Sequence, residues 1–246
     1  MKKRNDSKIT MAALMMMAAM AMTSCASSKK INGDSNVSKD SEMGKNEEDL
    51  DNSYLVLSDA QQDIVKKNNA FALRLFNKVT DMESKVISPM SVSYLMGMLA
   101  NGADGITQQE ILKAIGCEGV SVNDLNELYK AMLLTANKQD KQTTVNIANY
   151  IAVNKNFQLN KDFCQKVSDS YLAGIESLDF TSSKSTDRIN GWCKEKTNGM
   201  IPRIIDQVSA DAVSYLMNAI YFKGTWQNKF NAKDTKLENF RGYTRD

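Results

Sequence analysis

Val213-Ser214-Tyr215-Leu216-Met217-Asn218-Ala219-Ile220-Tyr221-Phe222 is a near-continuous apolar run with one strongly polar interruption, Asn218. Such a run reads as a strand covered on both faces at the centre of a sheet. An amide inside it must find partners, because a buried amide left unpaired costs about 1–3 kcal/mol. Hydroxyls from another element are natural partners; the other reading is an amide near a sheet end that reaches water.

Upstream of this strand the period is first helical. Ser58-Asp59-Ala60-Gln61 has capping-box spacing, and Phe71, Leu75, Phe76 and Val79 then fall on one face of a core-packing helix. Ser88-Pro89 places an N-cap side chain before a proline at the first helical position, where the missing N–H costs nothing. Val92, Leu95, Met96 and Leu99 supply that helix's apolar face, and Gly102 a stop. Thr107-Gln108-Gln109-Glu110 has the same capping-box spacing, for a helix through Ile111 and Ile115 that ends at Gly116. A further helix carries Val122, Leu125, Leu128, Tyr129 and Met132.

Then the period changes. Val145, Ile147, Ile151 and Val153 recur at even spacing, while Ala148, Tyr150 and Ala152 make the opposite face apolar, so this strand is expected to be covered on both sides. A helix over Phe163 to Leu172, a short apolar run from Ile175 to Phe180, and a helix over Thr186 to Asn198 with Ile189, Trp192 and Cys193 inward complete the series. Helices come first, strands interleave later, and there is no internal repeat and no Gly-rich phosphate loop. The fold class is α+β.

The bulk properties exclude several functions. The 246 residues are 42% hydrophobic and 24% charged, which gives enough apolar mass for one sizeable core. Lys plus Arg number 31 against 29 Asp plus Glu, so no excess of either sign draws in nucleic acid. Histidine is absent from these residues, which removes Ser-His-Asp and Cys-His catalysis and the commonest metal ligand. No cofactor, metal or catalytic residue is expected. Cysteines stand at 25, 117, 164 and 193 without a C-x-x-C pair. Setting Cys25 aside leaves an odd number, which reads as buried free thiols ahead of any functional role.

Residues 1–24 read as a targeting element: Lys2, Lys3, Arg4 and Lys8 are followed by an apolar stretch from Met11 to Met22 and a small-residue end. The stretch falls short of the roughly 20 residues a membrane-spanning helix needs. Met22-Thr23-Ser24-Cys25 resembles the lipobox of bacterial lipoproteins, with Met22 where leucine is usual. The alternative is an ordinary secretory signal cut nearby. On the lipobox reading Cys25 is lipidated, and the protein is exported and anchored to a membrane facing the periplasm or cell exterior. Residues 25–57, rich in Ser, Asn, Lys, Asp and Glu, then form a flexible tether.

From Ser58 the chain resembles the serpins. Asn69-Ala70-Phe71-Ala72 with Leu75-Phe76 is similar to the family's first helix, and Val86-Ile87-Ser88-Pro89-Met90-Ser91 to the start of its second. Gly102-Ala103-Asp104-Gly105-Ile106-Thr107 matches the following turn, and Thr197-Asn198-Gly199-Met200-Ile201 a later one. The most specific signature is Asn218-Ala219-Ile220-Tyr221-Phe222-Lys223-Gly224-Thr225-Trp226. The resemblance implies a serpin domain over 58–246, the N-terminal portion of the fold.

It also implies a mechanism: a protease cleaves an exposed bait loop, which inserts as a strand into the main sheet and carries the trapped acyl-enzyme with it. By the same resemblance Ser88, Ser91 and Asn218 match the family's shutter, the gate beneath the opening sheet, and Trp226 its breach tryptophan. The family's shutter histidine would lie beyond residue 246. The implied partners are serine or papain-like cysteine proteases. The chain is expected to stop before the bait loop, so the alternative is a non-inhibitory lipoprotein or binding module on a partial serpin scaffold.

Overall fold

A computed structural model describes residues 55–80, 85–136, 143–226 and 228–239. The expected signal at 1–24, Cys25 and nearly all of the tether lie outside these residues. Among the described residues no helix is long and apolar enough to cross a membrane.

Local chemistry sets the helix starts. α1 (Asp59–Val79) opens on a complete capping box: Ser58 Oγ accepts from the Gln61 N–H at 3.3 Å, and Gln61 Oε1 accepts from the Ser58 N–H at 3.1 Å. α2 (Pro89–Gly102) has Ser88 as N-cap, accepting from the Ser91 N–H at 3.0 Å, with Pro89 in the first turn. α3 (Gly105–Ala114) begins before the expected capping box, because Asp104 already caps it at the Gly105 N–H; Thr107 is therefore inside the helix. Its end is as expected, with Gly116 at φ +79°, a left-handed turn that favours glycine. α4 spans Val122–Ala136. α5 (Lys161–Tyr171) is capped by Asn160 and ends at Leu172 in the left-handed region, and α6 (Ser183–Lys196) is capped by Ser182.

The strands β1 (Thr143–Asn154), β2 (Gly174–Leu178) and β3 (Ser214–Gly224) form a three-stranded sheet in the order β2-β1-β3. β1 pairs parallel with β2, across the α5 connection, and antiparallel with β3. The central place thus belongs to β1. The run at 213–222, expected to be central, is an edge strand among the described residues, and of its side chains only Met217 and Ala219 are fully buried. Its apolar character reflects cover on both faces, which does not specify a strand on both edges.

β1 divides the core by its alternation. Ile147, Ile151 and Val153 join a cluster with Tyr94, Met98, Leu125, Leu128, Leu133, Val167 and Tyr171 beneath α1 to α5. Tyr150 and Ala152 join a second cluster with Phe180, Ile189, Trp192 and Cys193 beneath α6. Cover on both faces of β1 is as expected, and so are the inward residues of α6.

Two helical faces differ from expectation. In α1, Phe71 is buried and Leu75 packs against the core, but Phe76 and Val79 are 41% and 37% exposed. The buried stripe runs instead through Ile64 and Phe71. In α2 the deepest positions are Tyr94, Gly97, Met98 and Ala100, with Leu99 44% exposed. A helix apolar almost all round does not state in its sequence which side meets the sheet.

Candidate functional site

A polar pair lies inside the protein where β1 and β3 meet. Antiparallel register sets Asn149 opposite Asn218, on the face turned toward the helices. Asn218 Nδ2 donates to Asn149 Oδ1 at 2.8 Å and lies 3.4 Å from the Ala148 carbonyl. Asn149 Nδ2 in turn donates to the Tyr171 carbonyl at 2.7 Å, satisfying an orphan acceptor at the end of α5. Asn149 is 3% exposed and Asn218 half-buried, so Asn149 is shielded from water while its partner stands nearer the sheet edge. Asn218 Oδ1 is buried and has no hydrogen-bond partner among the described residues.

The other expected site residues are placed separately. Ser88 is buried at the start of α2, and its Oγ accepts from the Ser91 N–H and from the Ser91 hydroxyl at 2.6 Å. Neither serine bonds Asn218. The expected hydroxyl partners for that amide are thus replaced by an amide, because register brings Asn149 directly across while the serine hydroxyls satisfy the first turn of α2. Trp226 follows β3, 72% exposed, with its ring edge-on to Phe230 at 6.0 Å.

Beyond Asn149 the polar contacts continue into the helices. The Tyr171 hydroxyl donates to Asn126 Oδ1 at 2.8 Å, and Asn126 and Asn101 exchange reciprocal amide bonds at 2.8 and 2.9 Å. Burial raises the pKa of Tyr171 far above the usual phenol value, so its hydroxyl is a donor at neutral pH. On the opposite face Glu176 accepts from the Tyr150 hydroxyl at 2.7 Å and from Arg188 of α6 at 2.8 and 3.1 Å. The Arg188 guanidinium holds the Glu176 carboxyl below its usual range.

Cys117 and Cys193 are buried free thiols and Cys164 is half-buried. Burial pushes the Cys117 thiol up to about 11 and raises Cys193 as well, which favours the protonated thiol in both.

Comparison with known proteins places this architecture. The family model "Serpin (serine protease inhibitor)" matches residues 66–245. The chain belongs to the serpin family. It is 30% identical over 171 residues to serine protease inhibitor 42Dd of Drosophila melanogaster, covering 68% of this chain and 46% of that protein. It is 33% identical over 181 residues to the leukocyte elastase inhibitor of Bos taurus, covering 71% of this chain and 47% of that protein. Among solved structures it resembles the thermophilic serpin tengpin in its latent state, with a TM-score of 0.67 and 32% identity over 72% of this chain and 48% of that one. A loop C-sheet serpin polymer gives a TM-score of 0.66 at 29% identity, covering 81% of this chain and 50% of that one. The chain spans about half the length of the curated relatives it matches.

In serpin terms, the described residues hold the helices and a partial mixed sheet of an α+β fold. Within this serpin the amide at 149 has no distinct signal in the sequence, because it is one of three asparagines in β1, with Asn146 and Asn154, whereas Asn218 stands alone in β3.

Proposed function

We propose that this serpin inhibits endopeptidases by bait-loop cleavage and strand insertion beside β3. The observation that carries the reading is the family match over 66–245. Two features of the sheet support it. Among the described residues β3 pairs on one edge only, with β1, and its other edge is the side on which this reading places the entering strand. Asn218 meets that sheet with one amide oxygen uncommitted. In this reading Ser88, Ser91 and Asn218 form the gate that must yield as a strand enters, and Trp226 marks where entry begins. The bait loop belongs to the half of the scaffold that the match to relatives does not span. The targets are serine proteases of trypsin or elastase type, or papain-like cysteine proteases.

The gene product, expressed from its complete coding sequence, should give an SDS-resistant adduct with at least one of trypsin, pancreatic elastase and papain. Cleavage by all three without an adduct would overturn inhibition and leave a non-inhibitory binding module on this scaffold. We further propose that Cys25 carries the lipid that anchors the protein outside the cytoplasm. A fatty-acid probe should label the wild type and spare Cys25→Ala; equal labelling of both would refute it.

A further inference from the structure

Tyr171 is held at both ends. Its ring and hydroxyl are fully buried, with the hydroxyl donating to Asn126 of α4, itself locked to Asn101 of α2. Its carbonyl takes the Asn149 amide, which holds Asn218. Hydrogen bonds and one peptide carbonyl therefore connect the end of α2 to the β1–β3 pair without a break.

The packing around Tyr171 makes it a stiff connector. α2 carries glycine at position 97 directly against the tyrosine, and a Cβ added there would collide with the Tyr171 hydroxyl and ring. The ring also meets Tyr129 edge-on at 5.9 Å. Immediately after it the chain turns through Leu172 at φ 51°, a left-handed conformation that non-glycine residues rarely adopt. A ring wedged between helices and a carbonyl fixed on the sheet leave little freedom between the two ends.

We propose that Tyr171, Asn126 and Asn101 are positioning residues for the Asn149–Asn218 pair, so that the α2–α4 contact sets how firmly β3 is held on β1. Their effect on strand insertion rests on the function proposed above; the positioning itself does not. Removing the Tyr171 hydroxyl unties the end of α5 from Asn126 of α4, and the loss reaches Asn218 through the two hydrogen bonds that start at the Tyr171 carbonyl.

The test compares two buried tyrosines by NMR on the full chain. In Tyr171→Phe the side-chain amide signals of Asn149 and Asn218 should shift and exchange with solvent about fivefold faster, the factor that corresponds to a hydrogen bond of about 1 kcal/mol. Tyr129→Phe removes another buried hydroxyl, one that contacts Asn68 rather than these amides, and should leave both signals in place. Asn101→Ala, altered at the far, half-buried end, should reproduce the Tyr171→Phe response if that variant fails to fold. Unmoved Asn218 signals in the variants that fold, or equal movement in Tyr129→Phe, would overturn the proposal. Neither outcome depends on protease inhibition, so failure here is distinct from failure of the proposed function.

Discussion

The two faces of the sheet solve the problem of buried polarity differently. Toward α1 to α5 the cover is deep, and Asn149, Asn126 and Tyr171 find partners only inside the protein. Toward α6 the cover is one helix and the segment after it, with Ile201, Ile205 and Val208, and Glu176, Arg188 and the Tyr150 hydroxyl meet at its rim, where side chains remain 45% and 35% exposed for Arg188 and Glu176. Deep cover turns each polar group into a constraint on register, because an unpaired group there keeps its full desolvation cost. Shallow cover lets charge pair at little net gain and leaves the helix above it easier to lift.

This contrast sets an order of mutational effects. Ile151 and Ile189 are both fully buried, one in each cluster. Truncating a buried isoleucine to alanine costs about 2–5 kcal/mol depending on how far the site can collapse. Ile151→Ala, in the central strand beneath several helices, should fall near the top of that range. Ile189→Ala should fall near the bottom, as α6 can settle. Chemical denaturation measures both, and equal losses would break the comparison.

A smaller effect is expected at Asn149→Ala, which leaves the Tyr171 carbonyl and the Asn218 amide without their partner. The expected loss is about 1–3 kcal/mol. A change below about 0.3 kcal/mol would mean that water replaces the amide, and that this face is wetter than its burial indicates.

The smallest effect is expected on the α6 side. Arg188→Ala removes a partly exposed ion pair and should cost no more than about 1 kcal/mol at neutral pH. The Glu176 carboxyl is depressed in the folded state, chiefly by its hydrogen bond to Arg188. Its contribution is therefore complete above the ordinary carboxylate pKa and is lost as pH falls through the lower folded value. Stability curves of wild type and Arg188→Ala should converge in that acidic window. A gap that widens as the pH drops would contradict the assignment.

Much of this architecture is legible in the residues themselves. Ser58, Ser88 and Pro89 mark helix starts by local chemistry, and the alternation from Val145 to Val153 reports cover on both faces of β1. What depends on distant partners is not legible. Asn218 reads as an amide in need of a partner, but only the register of two strands far apart in sequence supplies Asn149. Asn126 and Tyr171 sit among ordinary helical core residues, and nothing local distinguishes a tyrosine that bridges elements from one that fills space. The serpin signature at 218–226 identifies the family without showing how its amide is held.

The central claim, that a strand enters beside β3, has one direct readout. The protein from the complete coding sequence should be cleaved by a protease that it does not trap, and its thermal unfolding compared before and after with the fragments still associated. Insertion adds a ladder of backbone hydrogen bonds beside β3, so the account predicts a melting temperature raised by at least about 10 °C, more than the roughly 2–4 °C that 1 kcal/mol gives a domain of 150–250 residues. A cleaved form that melts at or below the temperature of the intact protein would contradict insertion beside β3.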